Sequence, residues 1–299
     1  MSKQKQAKIV FITGCSSGFG YLTAKLLVEA GYKVYATMRD LDGRNKQKKE
    51  ELEAAAAGNG VLKVLECDVL DETSVNAAVA EVIATESRID VLVNNAGYGL
   101  YGPIELATDE VIRNQFETNV LGYIRVIKAV MPHMREHRGG HVINVGSMFS
   151  VMSLPMCGYY VATKYAIRGM SEALLGEGYL FNIRVSLVCP MGYGTDFLHR
   201  SLRFVTDVES SGEYKSSFKD IAENIDNFGK SSGDPIAVAK KIAAIIKKKN
   251  PPFLVFVGKF ARMGYLLAKL LPIRTMHKII AKQNNFPHVL EKVPLDGLP

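Results

Sequence analysis

Cysteine is scarce in this sequence. The 299 residues contain four, Cys15, Cys67, Cys157 and Cys189, with no CxxC pair and no spacing that suits a metal. That excludes a disulfide scaffold or a zinc module and leaves reduced thiols in a cytoplasmic protein as the expectation. No stretch approaches the ~18 consecutive apolar residues of a membrane span. The polar start from Met1 to Lys8 has no apolar segment behind it, so no secretory signal is expected. A P-loop is also missing, since GxxxxGK followed by Ser or Thr does not occur. Acidic residues are outnumbered, 30 against 37 basic, giving a net charge of +7. The excess sits in Arg44 to Lys49 and in the last quarter of the chain, including Lys247, Lys248 and Lys249. Such runs are more often solvated helix faces than binding patches. No aromatic residues interleave with them as a nucleic-acid surface would want, so no nucleic-acid partner is expected.

What is present is apolar and alternating. Hydrophobic residues make up 47%, enough for a sizeable core and too many for a disordered chain. Short β-rich runs occur at Lys8–Thr13, Lys33–Met38, Val61–Glu66, Ile89–Asn94, His141–Val145 and Ile183–Val188. Helical periodicity fills the gaps at Tyr21–Ala30, Arg44–Ala57, Glu72–Thr85, Asp109–Arg135 and Gly158–Gly178, with Pro132 expected to kink or end its helix. Strands buried on both faces read as continuous apolar runs, and helices supply the crossovers between them. The pattern predicts a Rossmann-type, doubly wound α/β fold, one parallel sheet of about seven strands with helices on both faces. After Pro190 the pattern loosens into a substrate-loop region, Gly192 to Gly233. A helix at Asp234–Lys249, a strand at Pro252–Val257 and an amphipathic basic helix at Lys259–Lys282 follow, the last within a C-terminal extension over 259–299. With no repeat and no linker, residues 1–299 are expected to form a single dinucleotide-binding and catalytic domain.

The first strand runs into Thr13-Gly14-Cys15-Ser16-Ser17-Gly18-Phe19-Gly20. Glycines serve such a turn because the backbone must approach a pyrophosphate and the next helix must pack close, with its N-terminal N–H groups facing the anion. The spacing is GxxxGxG. Together with Asn94-Asn95-Ala96-Gly97 and Tyr160-x-x-x-Lys164, this TGxxxGxG run resembles the short-chain dehydrogenase/reductase family from about Lys8 to Phe197. Thr13 to Gly18 followed by Val34 to Asp40 is similar to its hydroxysteroid and retinol dehydrogenase branch. The resemblance implies a nicotinamide cofactor held by Gly14, Ser16, Ser17, Gly18, Phe19, Gly20, Asp68, Val69, Asn95, Ala96, Gly97, Tyr160, Lys164, Pro190, Gly192 and Thr195. Within that set Asp68 would meet the adenine edge and Thr195 the carboxamide. Where the family has Pro-Gly, this chain reads Pro190-Met191-Gly192.

Cofactor choice turns on the end of the second strand. NAD-using proteins place an acid there for the ribose 2′-hydroxyl. Here Met38 is followed by Arg39, whose guanidinium suits a 2′-phosphate, so NADP(H) is favoured over NAD(H). Asp40, one residue on, keeps NAD(H) open.

Tyr160 and Lys164 lie four apart on a helix and so share a face. A tyrosine titrates near pH 10 when free, and a neighbouring ammonium favours its phenolate, which makes the pair an acid/base near working pH. The resemblance adds Ser147, thirteen residues earlier, as a donor to the substrate oxygen, and Asn119 as holder of a water that relays protons through Lys164. All four catalytic positions are filled, and the chain is expected to interconvert a carbonyl and an alcohol. Loops at Tyr98–Pro103, Met148–Met156 and Phe197–Gly233 contribute Tyr98, Leu100, Tyr101, Met148, Phe149, Met152, Leu154, Met156, Phe197 and Leu198. That lining suits a large apolar substrate, steroid-, retinoid- or lipid-like, although ordinary packing accounts for about half of such residues.

His133, His137 and His141 recur at four-residue spacing, but Pro132 and Gly139-Gly140 interrupt the helix, so no metal site is expected. The basic C-terminal helix is expected to dock on the body, with an oligomer contact or a membrane surface as alternatives. The resemblance implies a homodimer or homotetramer through the helices around Asp109–Arg135 and Gly158–Gly178. Two readings from other classes stay open: a non-catalytic NADP(H) sensor, and a peripheral membrane protein acting through its basic tail.

Overall fold

The computed structural model describes residues 6–56, 60–193, 202–220, 223 and 233–283. Seven strands form one parallel sheet: β1 (Ile9–Ile12), β2 (Lys33–Met38), β3 (Val61–Glu66), β4 (Val91–Asn94), β6 (Gly140–Val145), β7 (Ile183–Pro190) and β9 (Leu254–Val257). Their order is β3-β2-β1-β4-β6-β7-β9, every neighbour parallel. The chain winds outward from β1 to β3, then returns to the centre at β4 and winds the other way. Between β1 and β4 the connections diverge, which opens a crevice at the carboxyl ends of the strands.

Helices cover both faces. Along β1 the side chains alternate, so Val10 and Ile12 join Leu27 of α1 (Gly18–Glu29) and Ile242 of α7 (Ile236–Ile246) in one core. Ile9 and Phe11 point the opposite way, into a second core with Val79 of α3 (Glu72–Glu86), Val130 of α5 (Gly122–Glu136) and Leu174 of α6 (Gly158–Tyr179). Every residue of β1 is buried, which is why a two-period pattern never shows in its sequence. α2 (Lys46–Ala55) is the most polar of these helices and buries Leu52 alone along its length. Among the described residues no helix is long and apolar enough to cross a membrane.

Several elements depart from the sequence expectation. The helix expected over Asp109–Arg135 is two helices, α4 (Asp109–Phe116) and α5, joined by one π turn, Glu117–Leu121. Pro132 lies inside α5 and does not end it. Val126, Val130 and Met134, buried on both sides of the proline, hold the two halves on the core. The helix expected over Lys259–Lys282 is broken into α8 (Ala261–Leu270) and α9 (Ile273–Gln283). Leu271, ahead of Pro272, is extended with ψ 146°, the conformation a following proline imposes. A small second sheet pairs β5 (Gly99–Tyr101) with β8 (Leu202–Phe204) across the mouth of the crevice.

A buried polar chain ties the sheet to α6. Asn94 Nδ2 donates to Asn144 Oδ1 at 3.0 Å, and Asn144 Nδ2 donates to Ser171 Oγ at 2.8 Å. Replacing Asn144 with Ala leaves Asn94 without that acceptor in a dry interior, which costs about 1–3 kcal/mol for an unpaired group. Denaturant unfolding of Asn144→Ala should show a loss of that size, and an unchanged midpoint would refute the chain's structural weight.

Candidate active site

Four loops meet at the carboxyl ends of β1, β4, β6 and β7. The first is the glycine loop. Gly14 has φ +71°, and a Cβ there would stand 2.8 Å from Ala96 Cα. At Gly20 the constraint is contact, since a Cβ would lie 2.4 Å from Gly14 O and 2.5 Å from Asn95 Nδ2. Ser17 caps α1 without a side-chain hydrogen bond, and no acidic residue occupies the first turn of that helix. Its N-terminal N–H groups therefore face the crevice with their positive end unopposed by a carboxylate of that turn. Phe19 packs edge-on against Tyr193, with ring centroids 6.2 Å apart.

The loop after β4 clamps this turn. Asn95 Nδ2 donates to Thr13 O and Gly14 O, both at 3.0 Å, while Thr13 Oγ1 accepts from the Asn95 and Ala96 amides at 2.9 and 3.1 Å. Gly97 comes next, and a Cβ there would press 2.9 Å from Asn119 Oδ1. Asn119, fully buried in the π turn, reads both backbone groups of Tyr98: Oδ1 accepts from its N–H at 3.0 Å and Nδ2 donates to its carbonyl at 2.8 Å. The same amide reaches Thr163 Oγ1 at 3.2 Å, on α6 beside Lys164.

Beyond β6, Ser147 caps the short 3₁₀ turn Met148–Ser150, where its Oγ accepts from Phe149 N at 3.2 Å. Tyr160 and Lys164 stand one turn apart on α6, both buried. The Ser147 and Tyr160 side chains are hydrogen-bonded. Lys164 Nζ lies 5.5 Å from the centre of the Tyr160 ring and 5.9 Å from that of Tyr123, and it donates to Val145 O at 3.0 Å. The predicted serine, tyrosine, lysine and asparagine are thus brought to one place. Burial shifts both titrating groups: the Tyr160 phenol is held above its usual value, the Ser147 hydrogen bond opposing the shift, and the Lys164 ammonium is pushed down to about 8.

The wall around Tyr160 is apolar. Tyr101 stacks on it at 6.1 Å and Phe149 meets it edge-on at 5.9 Å. Cys157, Leu154, Met156, Val161, Leu202 and Ala281 complete the cluster. Met148 and Met152 belong elsewhere, packing with Tyr123, Ile167 and Tyr265 behind the turn. Ala281 comes from α9, which the sequence pattern did not place here. That helix docks on the loop after β6, with His277 Nε2 3.2 Å from Ser153 Oγ and with Met276 and Ile280 buried.

At the outer end of the crevice, Arg39 pairs with Asp68 at 3.7 Å, both half-exposed. Asp68 Oδ1 also accepts from Leu70 N at 3.0 Å. Asp40 has φ +56° and turns its carboxylate onto Arg44, whose amide donates to it at 3.2 Å. Val69 is buried beside Gly122, and its carbonyl accepts from Arg125. Ser16 and Gly18 lie half-buried on the glycine loop, and Pro190 closes β7. Gly192 follows with φ +81°, its carbonyl bonded to Gly233 N. Thr195, Phe197 and Leu198 lie outside the described residues. Of the three spaced histidines, His137 Nδ1 contacts the carbonyl of His133, while His141 sits in β6 against Ser186 Oγ at 3.0 Å.

Comparison with known proteins agrees with this geometry. The family model described as short chain dehydrogenase matches residues 8–205. The chain is 37% identical over 265 residues to a 3-ketodihydrosphingosine reductase of Bacteroides thetaiotaomicron, covering 88% of this chain and 93% of that one. It is 36% identical over 255 residues to retinol dehydrogenase 8 of Homo sapiens, covering 82% and 79%. A solved short-chain dehydrogenase from Streptomyces avermitilis is 27% identical with TM-score 0.77, covering 97% of this chain and all of that one. At lower identity the fold recurs in ElxO, solved with NADP (24%, TM-score 0.69, coverage 87% and 99%). It recurs again in a Burkholderia phymatum protein solved with NAD (21%, TM-score 0.72, coverage 98% of both).

The low ammonium pKa has a stability consequence. Lys164 titrates near 8 when folded and 10.5 when exposed, so between those values the unfolded chain binds more protons and stability rises with pH. Below pH 8 the folded protein carries the full cost of the buried charge. Lys164→Met should therefore be more stable than the parent at pH 7, with the gap closing as pH rises from 8 towards 10. Thermal unfolding across that range measures it, and a gap independent of pH would show that the ammonium is not kept dry.

Proposed function

Starting from the fact that the chain belongs to the short chain dehydrogenase family, whose model spans residues 8–205, we propose that it is an NADP(H)-dependent oxidoreductase interconverting an apolar carbonyl compound and its alcohol. One observation carries this: the Tyr160 hydroxyl, hydrogen-bonded to Ser147 and one turn from the Lys164 ammonium, stands in a dry apolar wall beside a glycine loop that a Cβ would fill. When bound, the nicotinamide supplies or accepts the hydride. The chain's residues do the rest.

Gly14, Ser16, Ser17, Gly18, Phe19 and Gly20 would cradle the pyrophosphate at the head of α1. Asn95, Ala96, Gly97, Pro190, Gly192 and Thr195 would line the inner crevice, and Asp68 and Val69 its adenine end. Arg39 supports the choice of NADP(H). Its ion pair with Asp68 is half-exposed, worth about 0–1 kcal/mol, and so is readily exchanged for a 2′-phosphate. Asp40, the residue that kept NAD(H) open, spends its carboxylate on the turn at Arg44.

Ser147 would donate to the substrate oxygen, where charge develops in the transition state. Tyr160, its pKa raised by burial, holds its proton at neutral pH and would donate it to that oxygen during reduction. A lysine ammonium has three protons. Lys164 gives one to Val145 O and would offer the others to the cofactor ribose and a relay water positioned by Asn119. Tyr101, Phe149, Leu154, Met156 and Leu202 favour a lipid-, retinoid- or steroid-like substrate.

With purified protein, NADPH oxidation should exceed NADH oxidation across long-chain ketones, retinal and steroids. Tyr160→Phe should lower kcat by about 10²–10⁴-fold while NADPH still binds. Arg39→Leu should weaken NADPH about 10–100-fold and leave NADH untouched. Tight NADPH binding with no turnover on any carbonyl would favour a sensor over an enzyme.

The protein is read as cytoplasmic, in keeping with four buried free thiols. It is also read as a homodimer or homotetramer. Leu121, Tyr165, Tyr179 and Leu180 leave exposed apolar surface on the π turn and α6, the helical face expected to pair. Sedimentation should give two or four copies, and a strict monomer at micromolar concentration would refute the pairing.

A further inference from the structure

The C-terminal helices carry two different faces. One face of α9 buries Met276, Ile280 and Ala281, the last in the cluster around Tyr160. The opposite problem arises on α8 and the turn after it, where Phe260, Met263, Leu266, Leu270 and Ile273 are 53, 52, 48, 79 and 69% exposed. Residues 263, 266 and 270 follow i, i+3 and i+7, so they form one stripe along the helix. Exposed Lys259, Arg262, Lys269 and Arg274 flank it. Acidic residues are missing altogether from Pro235 through Leu290, a stretch with eleven lysines and arginines up to Lys282.

An apolar stripe edged only by cations narrows the choice of partner. A second copy related by a two-fold axis would set this face against itself and bring the four cations onto their equals. An anionic lipid surface answers both features, since it takes the apolar side chains into its acyl boundary and the ammonium and guanidinium groups among its phosphates. We infer that α8 and the start of α9 dock the protein reversibly onto an anionic phospholipid bilayer. The stripe lies next to the helix that supplies Ala281 and His277 to the active-site wall, so docking sets the mouth of the crevice against the source of an apolar substrate. Only this last clause rests on the proposed oxidoreductase reading.

Vesicle flotation with the full-length protein tests the docking without cofactor or turnover. The protein should float with phosphatidylcholine vesicles containing phosphatidylserine and stay behind with phosphatidylcholine alone. Leu266→Glu with Leu270→Glu should abolish flotation, and each of Lys259→Ser and Lys269→Ser should weaken it about fivefold. All these side chains are exposed, so turnover of a small water-soluble carbonyl compound should be unchanged, which confirms folding. Failure to float on either lipid, or flotation that survives the double substitution, overturns the inference. So does a change in sedimentation caused by Leu266→Glu with Leu270→Glu, which would assign the stripe to a protein contact. Flotation without turnover would sink the oxidoreductase reading and leave docking in place.

Discussion

A lysine ammonium kept away from water is the constraint around which this molecule is arranged. Lys164 sits at the foot of a dry pocket with one backbone carbonyl as its hydrogen-bond partner and two aromatic faces beside it. A buried charge of this kind costs free energy unless its surroundings are fixed. The surroundings are fixed from three sides. Val145 at the end of β6 supplies the carbonyl, and Tyr123 of α5 bonds the same carbonyl at 3.0 Å. Directly beneath, Asn94, Asn144 and Ser171 lock β4, β6 and α6 together.

The second half of the site is joined to the first by backbone rather than by charge. Thr13 and Asn95 exchange hydrogen bonds across the gap between β1 and β4, so the glycine loop cannot shift without moving the strand that leads to Gly97. From Gly97 the contact passes to Asn119 and on to Thr163, one residue from Lys164. A continuous line of close contacts therefore runs from the glycine loop to the helix that carries Tyr160 and Lys164. Its members are small or held by side-chain hydrogen bonds, which leaves little slack in the separation of the two.

Much of this was legible in the sequence. β2 and β3 begin and end where their β-rich runs do: β2 is buried almost throughout and reads as a continuous apolar run, while β3, at the sheet edge, exposes Val61, Lys63 and Glu66 and buries the residues between. The Tyr-x-x-x-Lys pair was readable because helical spacing alone puts the two on one face. Other features left no such trace. Helical periodicity passes through the π turn almost undisturbed, so the division at Glu117 stayed hidden. Pro272 marks the break between α8 and α9, and the amphipathic pattern that carries across it is what made a single helix the expectation. Three-residue strands such as β5 and β8 are too short to show a period. For the methionines, composition could not distinguish Met156, beside Tyr160, from Met148 and Met152, which pack behind the turn. His141, third of the evenly spaced histidines, lies in the strand expected to begin with it and faces Ser186, where burial lowers its pKa to about 3, a contact that its spacing from His137 did not show.

The π turn makes the length of one segment as fixed as its composition. An α-helix overshoots a full circle by about 40° every four residues, so Gln115, Asn119 and Tyr123 would drift round a regular helix. The wider turn takes back part of that drift, and all three side chains stay on the inner line, the first two bonded to Tyr98 O and the third to Val145 O. Deleting one residue between Glu117 and Leu121 would restore a regular helix and rotate everything before it away from everything after it. Surface loops absorb insertions and deletions between homologues. Here a gain or loss of one residue would break the bonds that Gln115, Asn119 and Tyr123 make together.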